Sequence, residues 1–371
     1  MCWSALSDAV PLYPLYALLF ADSGLSEAEI SSLFALWSAV AVLAEVPCGA
    51  WADRNSRRSA LVAAGALQAL GYLFWIAWPS FGGFATGFVL WGVGGALSSG
   101  SIQALVHDGL AAAGAEQHYA AVMGSAEAAG LAVQVPLAGA ASLLFWLGGY
   151  ALAGWVSVGV CLAASALAFR LPEARLGSAG NDDASQLATL RVGFAEVAGS
   201  AGLRGVALGV AVLTGLVALE EYFPLLGAQW GVSAGAIPIA LLGISLAGAL
   251  GATLGGRAMA LGPRALTAAM LAPAGFLLVS GLAARPAGLV GLAVVYGLQQ
   301  LTLVVADARL QARIAGPSRA TITSVAAVGG ELTAIVVVGA WALGGLTLVA
   351  ALAAVAALAL GGRLSAPGRG R

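Results

Sequence analysis

The chain has 371 residues, of which 60% are hydrophobic and only 9% are charged, and its net charge is −1. This composition excludes a water-soluble domain, because soluble proteins carry far more charge. All 16 basic residues are arginines, and the abundance of alanine and glycine without lysine indicates a GC-rich bacterial genome. We expect no nucleic-acid partner.

Apolar runs of about 20 residues, separated by short polar or Gly/Pro breaks, match the length that a helix needs to cross a bilayer roughly 30 Å thick. They predict an all-α polytopic membrane protein with twelve transmembrane helices. Residues 1–20 lack the basic start of a secretory signal, so we expect a retained first span. In chain order the predicted spans cover residues 4–21, 29–51, 59–78, 83–106, 118–140, 144–169, 203–224, 233–254, 264–284, 287–307, 319–341 and 343–361.

The longest polar segment follows the sixth span and predicts two six-helix bundles, 1–170 and 203–371, joined by a cytoplasmic linker, 171–202. The halves also match each other at an offset near 200 residues: Gly24-Leu-Ser-Glu-Ala-Glu-Ile30 follows the first span, and Gly231-Val-Ser-Ala-Gly-Ala-Ile237 follows the seventh. These matches predict a duplicated six-span unit with a central pathway between pseudo-symmetric halves.

The arginines predict the orientation of the spans. Fifteen of the sixteen fall on one side of the twelve-span topology, and only Arg285 falls on the other. The positive-inside rule therefore places both termini in the cytoplasm, with the chain in the bacterial cytoplasmic membrane. We interpret Trp75, Trp78 and Trp230 as aromatic belt residues near the outer boundary.

The loop between the second and third spans reads Gly49-Ala-Trp-Ala-Asp-Arg-Asn-Ser-Arg-Arg58. It resembles the loop signature of the major facilitator superfamily, G-x-x-x-D-R-x-G-R-R/K, in position and sidedness as well as in pattern. The resemblance covers essentially the whole chain and implies two six-helix bundles that alternate access to a central cavity. One departure is Ser56, which stands where the family has glycine.

The second copy of this loop has lost the Asp-Arg pair, since Met259 and Ala260 stand in its place. A carboxylate is stabilised near the positive N-terminus of a helix, and the resemblance implies that Asp53 meets the start of the eleventh span near Ser318 and Ala320. If this contact exists only in the closed state, it biases a two-state equilibrium, so we predict a one-sided cytoplasmic gate. The predicted gating residues are Gly49, Asp53, Arg54, Arg57 and Arg58.

The arginines of this loop have other interpretations. They could determine topology alone, or pair with Asp53, Asp108 or lipid phosphates.

Two segments bear on the kind of transporter that the resemblance implies. Phe88 stands where proton-coupled members often carry an arginine, which argues against transferring that proton site to this chain. Val135-Pro-Leu-Ala-Gly-Ala140 keeps the proline and one glycine of the G-P-x-x-G-G motif of antiporters. The pattern is most similar to drug–proton antiporters.

Acidic residues inside spans are costly, by roughly 2.5–3.5 kcal/mol on insertion scales, and therefore suggest function. Glu127 and Glu331 lie near mid-depth in the fifth and eleventh spans, and Asp8 lies early in the first. These three are the proton-coupling candidates. The alternatives are a packed, hydrogen-bonded acid for Glu127 and Glu331 and an interfacial cap for Asp8.

Polar and aromatic residues in the spans that line the cavity in this family supply the substrate candidates. Glu220 and Glu221 are adjacent, so both cannot share one helix face. The full set is Tyr13, Tyr16, Gln103, Glu220, Glu221, Tyr222, Tyr296, Gln299 and Gln300.

The sequence therefore predicts a secondary active transporter, with proton-coupled export of a small amphipathic or hydrophobic compound as the favoured activity. Uptake of a small organic solute is the alternative, and a membrane scaffold or enzyme is a third possibility. Without lysine the chain cannot contain a Walker A motif, so it cannot hydrolyse ATP through one. With two histidines and three scattered cysteines, we expect no metal or cofactor. We expect a monomer in the bilayer.

Overall fold

The computed structural model describes residues 1–173, 198–314 and 319–365. Every regular element in these ranges is a helix, and ten segments are long and apolar enough to cross a membrane. The chain divides into two compact units: unit 1 comprises residues 1–183 with 234–239, and unit 2 comprises 184–233 with 240–371. Most of the predicted linker lies outside the described residues, as do Arg175 and Arg191.

In unit 1 most helix boundaries fall at prolines, glycines or serine caps. Ser26 starts one helix with a capping box, in which its side chain accepts from the Glu29 backbone and the Glu29 side chain accepts from the Ser26 backbone. The α-helices are α1 (Cys2–Asp8), α2 (Tyr16–Asp22), α3 (Glu27–Arg54), α4 (Arg57–Ala77), α5 (Phe81–Ser98), α6 (Ser101–Ala112) and α7 (Tyr119–Ala168).

The helices of the C-terminal half continue the same numbering. They are α8 (Ala201–Leu216), α9 (Phe223–Gln229), α10 (Ile237–Ala258), α11 (Pro263–Ala283), α12 (Gly288–Arg313) and α13 (Arg319–Ser365). An apolar core in unit 2 contains buried side chains of α8, α12 and α13, among them Val206, Val305 and Ile322.

The first and seventh predicted spans are interrupted helices. A 3₁₀ segment, Tyr13–Leu15, separates α1 from α2, and another, Val217–Tyr222, separates α8 from α9. Prolines lie at both interruptions, and proline lacks the N–H that an α-helix needs in its interior. The predicted fourth span is interrupted too, at Gly100 with φ of 70°, and it extends to Ala112 instead of ending at residue 106.

The longest helices, α7 and α13, contain 50 and 47 residues. A straight helix of 50 residues would measure roughly 75 Å, far more than a bilayer. Each is broken at a glycine pair: Gly148 and Gly149 have φ/ψ of −159°/22° and 60°/−156°, and Gly344 and Gly345 have −151°/15° and 55°/−152°. The two breaks are the same backbone conformation, which supports the duplication.

A second pair of matching turns follows α2 and α9. Gly24 and Gly231 have φ of 92° and 90°. In both turns the glycine N–H donates to the carbonyl three residues earlier, at 2.9 and 3.0 Å, and the next N–H donates to the carbonyl five residues earlier, at 3.2 and 2.9 Å. The sequence match at this point is therefore a match of turn geometry.

Candidate functional site

The loop between α3 and α4 of unit 1 is organised by one arginine. Arg57 Nε and Nη2 each lie 3.1 Å from Asp53 Oδ1, and Nη1 donates to Asp108 Oδ2. The Arg57 and Asp108 side chains are both 22% exposed, whereas Asp53 is 48% exposed. Arg57, at the start of α4, therefore links the end of α3 to the last part of α6. This is the pairing with Asp53 and Asp108 that the sequence offered as one interpretation.

The structure explains why serine stands in the glycine position of the loop. Ser56 has φ of −166°, an extended conformation that needs no glycine. It is the N-cap of α4: its hydroxyl oxygen accepts from the Ser59 N–H at 3.0 Å and donates to Glu173 Oε2 at 2.8 Å. Arg58 Nε lies 3.9 Å from the same carboxylate. The Glu173 carboxylate thus accepts a hydrogen bond from Ser56 and forms an ion pair with Arg58.

The other predicted gating residues are placed as follows. Gly49 is half-buried in α3, with open space where a side chain would begin. Arg54 is exposed in the last turn of α3. Ser318 lies outside the described residues, as does the side chain of Ala320, so the contact expected for Asp53 remains a prediction.

The three proton-coupling candidates are not brought into one cluster. Asp8 ends α1, and its carboxylate packs so closely on Gly130 of α7 that a Cβ added there would overlap it unless the Asp8 side chain moved. Glu127 precedes Gly130 by one turn on the same face of α7 and is exposed. Glu331 is half-buried on α13. Asp8 therefore packs against α7 one turn away from Glu127.

A polar network lies within unit 2. The side chains of Tyr296 and Gln300, both on α12, lie beside the Glu220 carboxyl group. Gly248 of α10 provides the space, since a methyl group there would overlap the Tyr296 ring. Three of the predicted substrate residues thus lie side by side: Glu220 is in the 3₁₀ segment after α8, and Tyr296 and Gln300 are in α12.

The other predicted substrate residues of these spans and of α6 lie in different surroundings. Tyr222 is fully buried, with its ring stacked 4.1 Å from that of Trp341. Gln299 is only 6% exposed and lies in the core of unit 2. Glu221 is half-buried and Gln103 is exposed on α6.

A cluster of ten aromatic rings in unit 1 was missed by sequence reasoning. Phe88 is 1% exposed and lies at its centre, with ring centroids of five neighbours within 4.9–6.0 Å. The available signal was the spacing of Phe84, Phe88 and Trp91, which repeats along one helix face. The members are Tyr13, Tyr16, Phe20, Phe34, Trp37, Tyr72, Trp75, Phe84, Phe88 and Trp91.

This cluster corrects the interpretation of Trp75 as a belt residue. Trp75 is 1% exposed, and its Nε1 donates to the Phe84 carbonyl at 3.1 Å. Trp230 is also buried, whereas Trp78 is 54% exposed. At the rim of the cluster Tyr13 is 41% exposed and stacks on Trp91 with a centroid separation of 6.1 Å.

Comparison with known proteins identifies the family. The family model of the Major Facilitator Superfamily matches residues 2–338. An uncharacterized MFS-type transporter of Mycobacterium tuberculosis is 33% identical over 162 residues, which are 44% of this chain but only 38% of that protein.

Solved structures have the same fold at low identity. A nucleoside transporter, NupG, has a TM-score of 0.71 at 14% identity, covering 99% of this chain and 98% of that one. A D-xylose-proton symporter has a TM-score of 0.68 at 15% identity, covering 96% and 94%. A bacterial homolog of the human lysosomal transporter Spinster has a TM-score of 0.70 at 15% identity, covering 98% and 90%. The family model spans most of the chain and the solved structures share its fold, so the chain belongs to the Major Facilitator Superfamily.

Proposed function

We propose that this transporter exports a small amphipathic or hydrophobic compound in exchange for protons. It crosses the cytoplasmic membrane of a bacterium twelve times as a monomer with both termini inside. Bundles 1–170 and 203–371, joined by the linker 171–202, alternate access to the substrate. The breaks at Gly149 and Gly345 support this count, because each divides one long helix into two lengths suited to a bilayer.

The grouping of Glu220, Tyr296 and Gln300 within an apolar region is the observation that carries the proposal. A carboxyl group inside an apolar span is retained at a cost, and such groups mark ion and substrate pathways. When ionised, Glu220 accepts a hydrogen bond from Tyr296; when protonated, it can release that donor to a substrate. We therefore add Glu220 to Asp8, Glu127 and Glu331 as a proton-coupling candidate.

The aromatic cluster of unit 1 supports an amphipathic or hydrophobic substrate. Tyr13 presents ring surface at the rim of the cluster. Aromatic faces bind apolar groups and, through their quadrupole, cations. No arginine lies deep in a predicted span, so a substrate with several negative charges is disfavoured.

Proton-coupled uptake of a small organic solute is the alternative. The fold similarity to a D-xylose-proton symporter and a nucleoside transporter supports a polar substrate, as do the two adjacent glutamines on α12.

Flux measurements in proteoliposomes test the transporter proposal. We expect an imposed pH gradient to drive net movement of lipophilic compounds from a broad panel outwards, with reversal when the gradient is reversed. Accumulation of sugars or nucleosides instead would favour uptake. An absence of pH-driven flux for every compound would overturn proton-coupled transport.

The gate around Asp53 has its own test. Asp53→Asn should favour the inward-open state, because the contact with a helix N-terminus is worth about 0.3–2 kcal/mol. The readout is the rate at which a cysteine at Gln103, in a chain without its three native cysteines, reacts with a reagent added from the cytoplasmic side. Glu116→Gln is the control, since it removes one carboxylate charge at an exposed position before α7 that is outside the predicted gate. Unchanged labelling in Asp53→Asn, or equal labelling in both variants, would contradict the gate.

A further inference from the structure

A small cavity lies inside unit 2, apart from the Glu220 network. Its volume is about 30 Å³, enough for one water molecule. Residues from α8, the following 3₁₀ segment, α11, α12 and α13 line it, including Leu216, Leu219, Pro273, Gln299, Thr302 and Val349. The cavity is therefore closed on several sides by helices of one unit.

The polar groups of the cavity are incompletely bonded. Gln299 is 6% exposed, and its Nε2 has no hydrogen-bond partner among the described residues. Thr302 is 1% exposed, and its hydroxyl donates to the Gln299 backbone carbonyl at 3.0 Å, which leaves the Thr302 oxygen able to accept. A buried amide without a partner is costly, and buried polar groups in proteins are almost always satisfied by protein or by ordered water.

Two helices that border the cavity are irregular beside it. Pro273 lies inside α11, and because it has no N–H, the carbonyl of Ala269 loses its usual helical donor. The span that begins with α8 changes to a 3₁₀ helix at Val217, between the lining residues Leu216 and Leu219.

We propose that an ordered water molecule is bound in this cavity, where it accepts a hydrogen bond from Gln299 Nε2. It donates to Thr302 Oγ1, which gives it two of the two to four partners that buried waters have. The adjacent Gln300 belongs to the separate network with Tyr296, so successive glutamines of α12 serve a water site and a ligand-facing network.

Radiolytic footprinting of the full chain in lipid nanodiscs, with H₂¹⁸O as solvent, tests this site. A brief X-ray pulse makes hydroxyl radicals from bound water, and these oxidise the side chain beside it. Met270 lines the cavity and is only 6% exposed, whereas Met259 is 40% exposed. We expect the bound water to oxidise Met270 although this side chain is buried, and the ¹⁸O label to enter its oxidation product slowly after rapid mixing. Met259, which bulk solvent reaches, should be oxidised fast.

Two variants at adjacent positions sharpen the experiment. Gln299→Leu removes the donor and should reduce Met270 oxidation several-fold while leaving Met259 unchanged; Gln300→Leu should reduce neither. Should Gln299→Leu fail to fold, Thr302→Val takes its place. Native Met270 that is oxidised no more than background, or that is oxidised equally in Gln299→Leu, would overturn the water site. None of these readouts depends on transport, so they are independent of the proposed export.

Discussion

The two units have matching backbone turns but differ in the side chains that they bury. Unit 1 surrounds Phe88 with aromatic rings and concentrates its described ion pairs at the loop before α4. Unit 2 has a polar network around Tyr296 and a buried amide at Gln299. The turns at Gly24 and Gly231 are nevertheless the same. The chain bends in the same way at corresponding glycines of the two halves, whereas the side chains around those bends differ in type.

The largest effect is expected in unit 1. Phe88→Ala should lower the free energy of unfolding by about 3–5 kcal/mol, because it opens a cavity at the centre of the ring cluster. Thermal unfolding in detergent measures the change. Phe276→Ala is the matched control, since Phe276 is 41% exposed and its loss should matter much less. Equal effects of the two substitutions would mean that the cluster contributes no special stability.

In unit 2, Glu220→Gln should reduce pH-driven flux roughly tenfold to a hundredfold, the range expected for a charge-assisted hydrogen bond. The amide cannot exchange a proton, and it loses the charge that Tyr296 stabilises. Glu116→Gln, an acid in the 3₁₀ turn before α7, is the control and should leave flux unchanged. If Glu220→Gln retained full flux, Glu220 and Tyr296 would contribute to helix packing and not to proton coupling.

The glycine breaks test what the two units have in common. Gly149→Ala and Gly345→Ala should each cost about 1–3 kcal/mol, because the φ/ψ of both positions is accessible essentially to glycine alone. Neither site has atoms near an added Cβ, so the cost measures backbone strain and not a clash. Gly159→Ala and Gly339→Ala, in regular parts of α7 and α13 with open surroundings, should be neutral or stabilising by up to about 1 kcal/mol. A large difference between the Gly149 and Gly345 variants would contradict the structural equivalence of the breaks.

The all-helical membrane fold and the family were predictable, because hydropathy and the charged loop can both be read from consecutive residues. The interruption at Val217 was not predictable from hydropathy, since an apolar run reads alike whether its helix is α or 3₁₀. The link between Glu220 and Tyr296 joins residues 76 positions apart, and periodicity within one helix cannot pair residues of two helices. Phe88 was recognised only as a missing arginine; its role became visible when rings from α2, α3, α4 and α5 were seen around it.

The smallest effect is expected where this chain departs from its family's loop pattern. Ser56→Gly restores the usual glycine, yet it should destabilise the loop by a few tenths of a kcal/mol for the N-cap and up to about 1 kcal/mol for the hydrogen bond to Glu173. Because Ser56 is extended, glycine gains nothing from its access to positive φ. Ser56→Ala removes the same oxygen without adding backbone freedom and separates the two contributions. The measurement is the unfolding midpoint of each variant in the native and the Glu173→Gln backgrounds. If Ser56→Gly raised the midpoint, glycine would be the better residue here and the Ser56–Glu173 contact would contribute nothing to the loop.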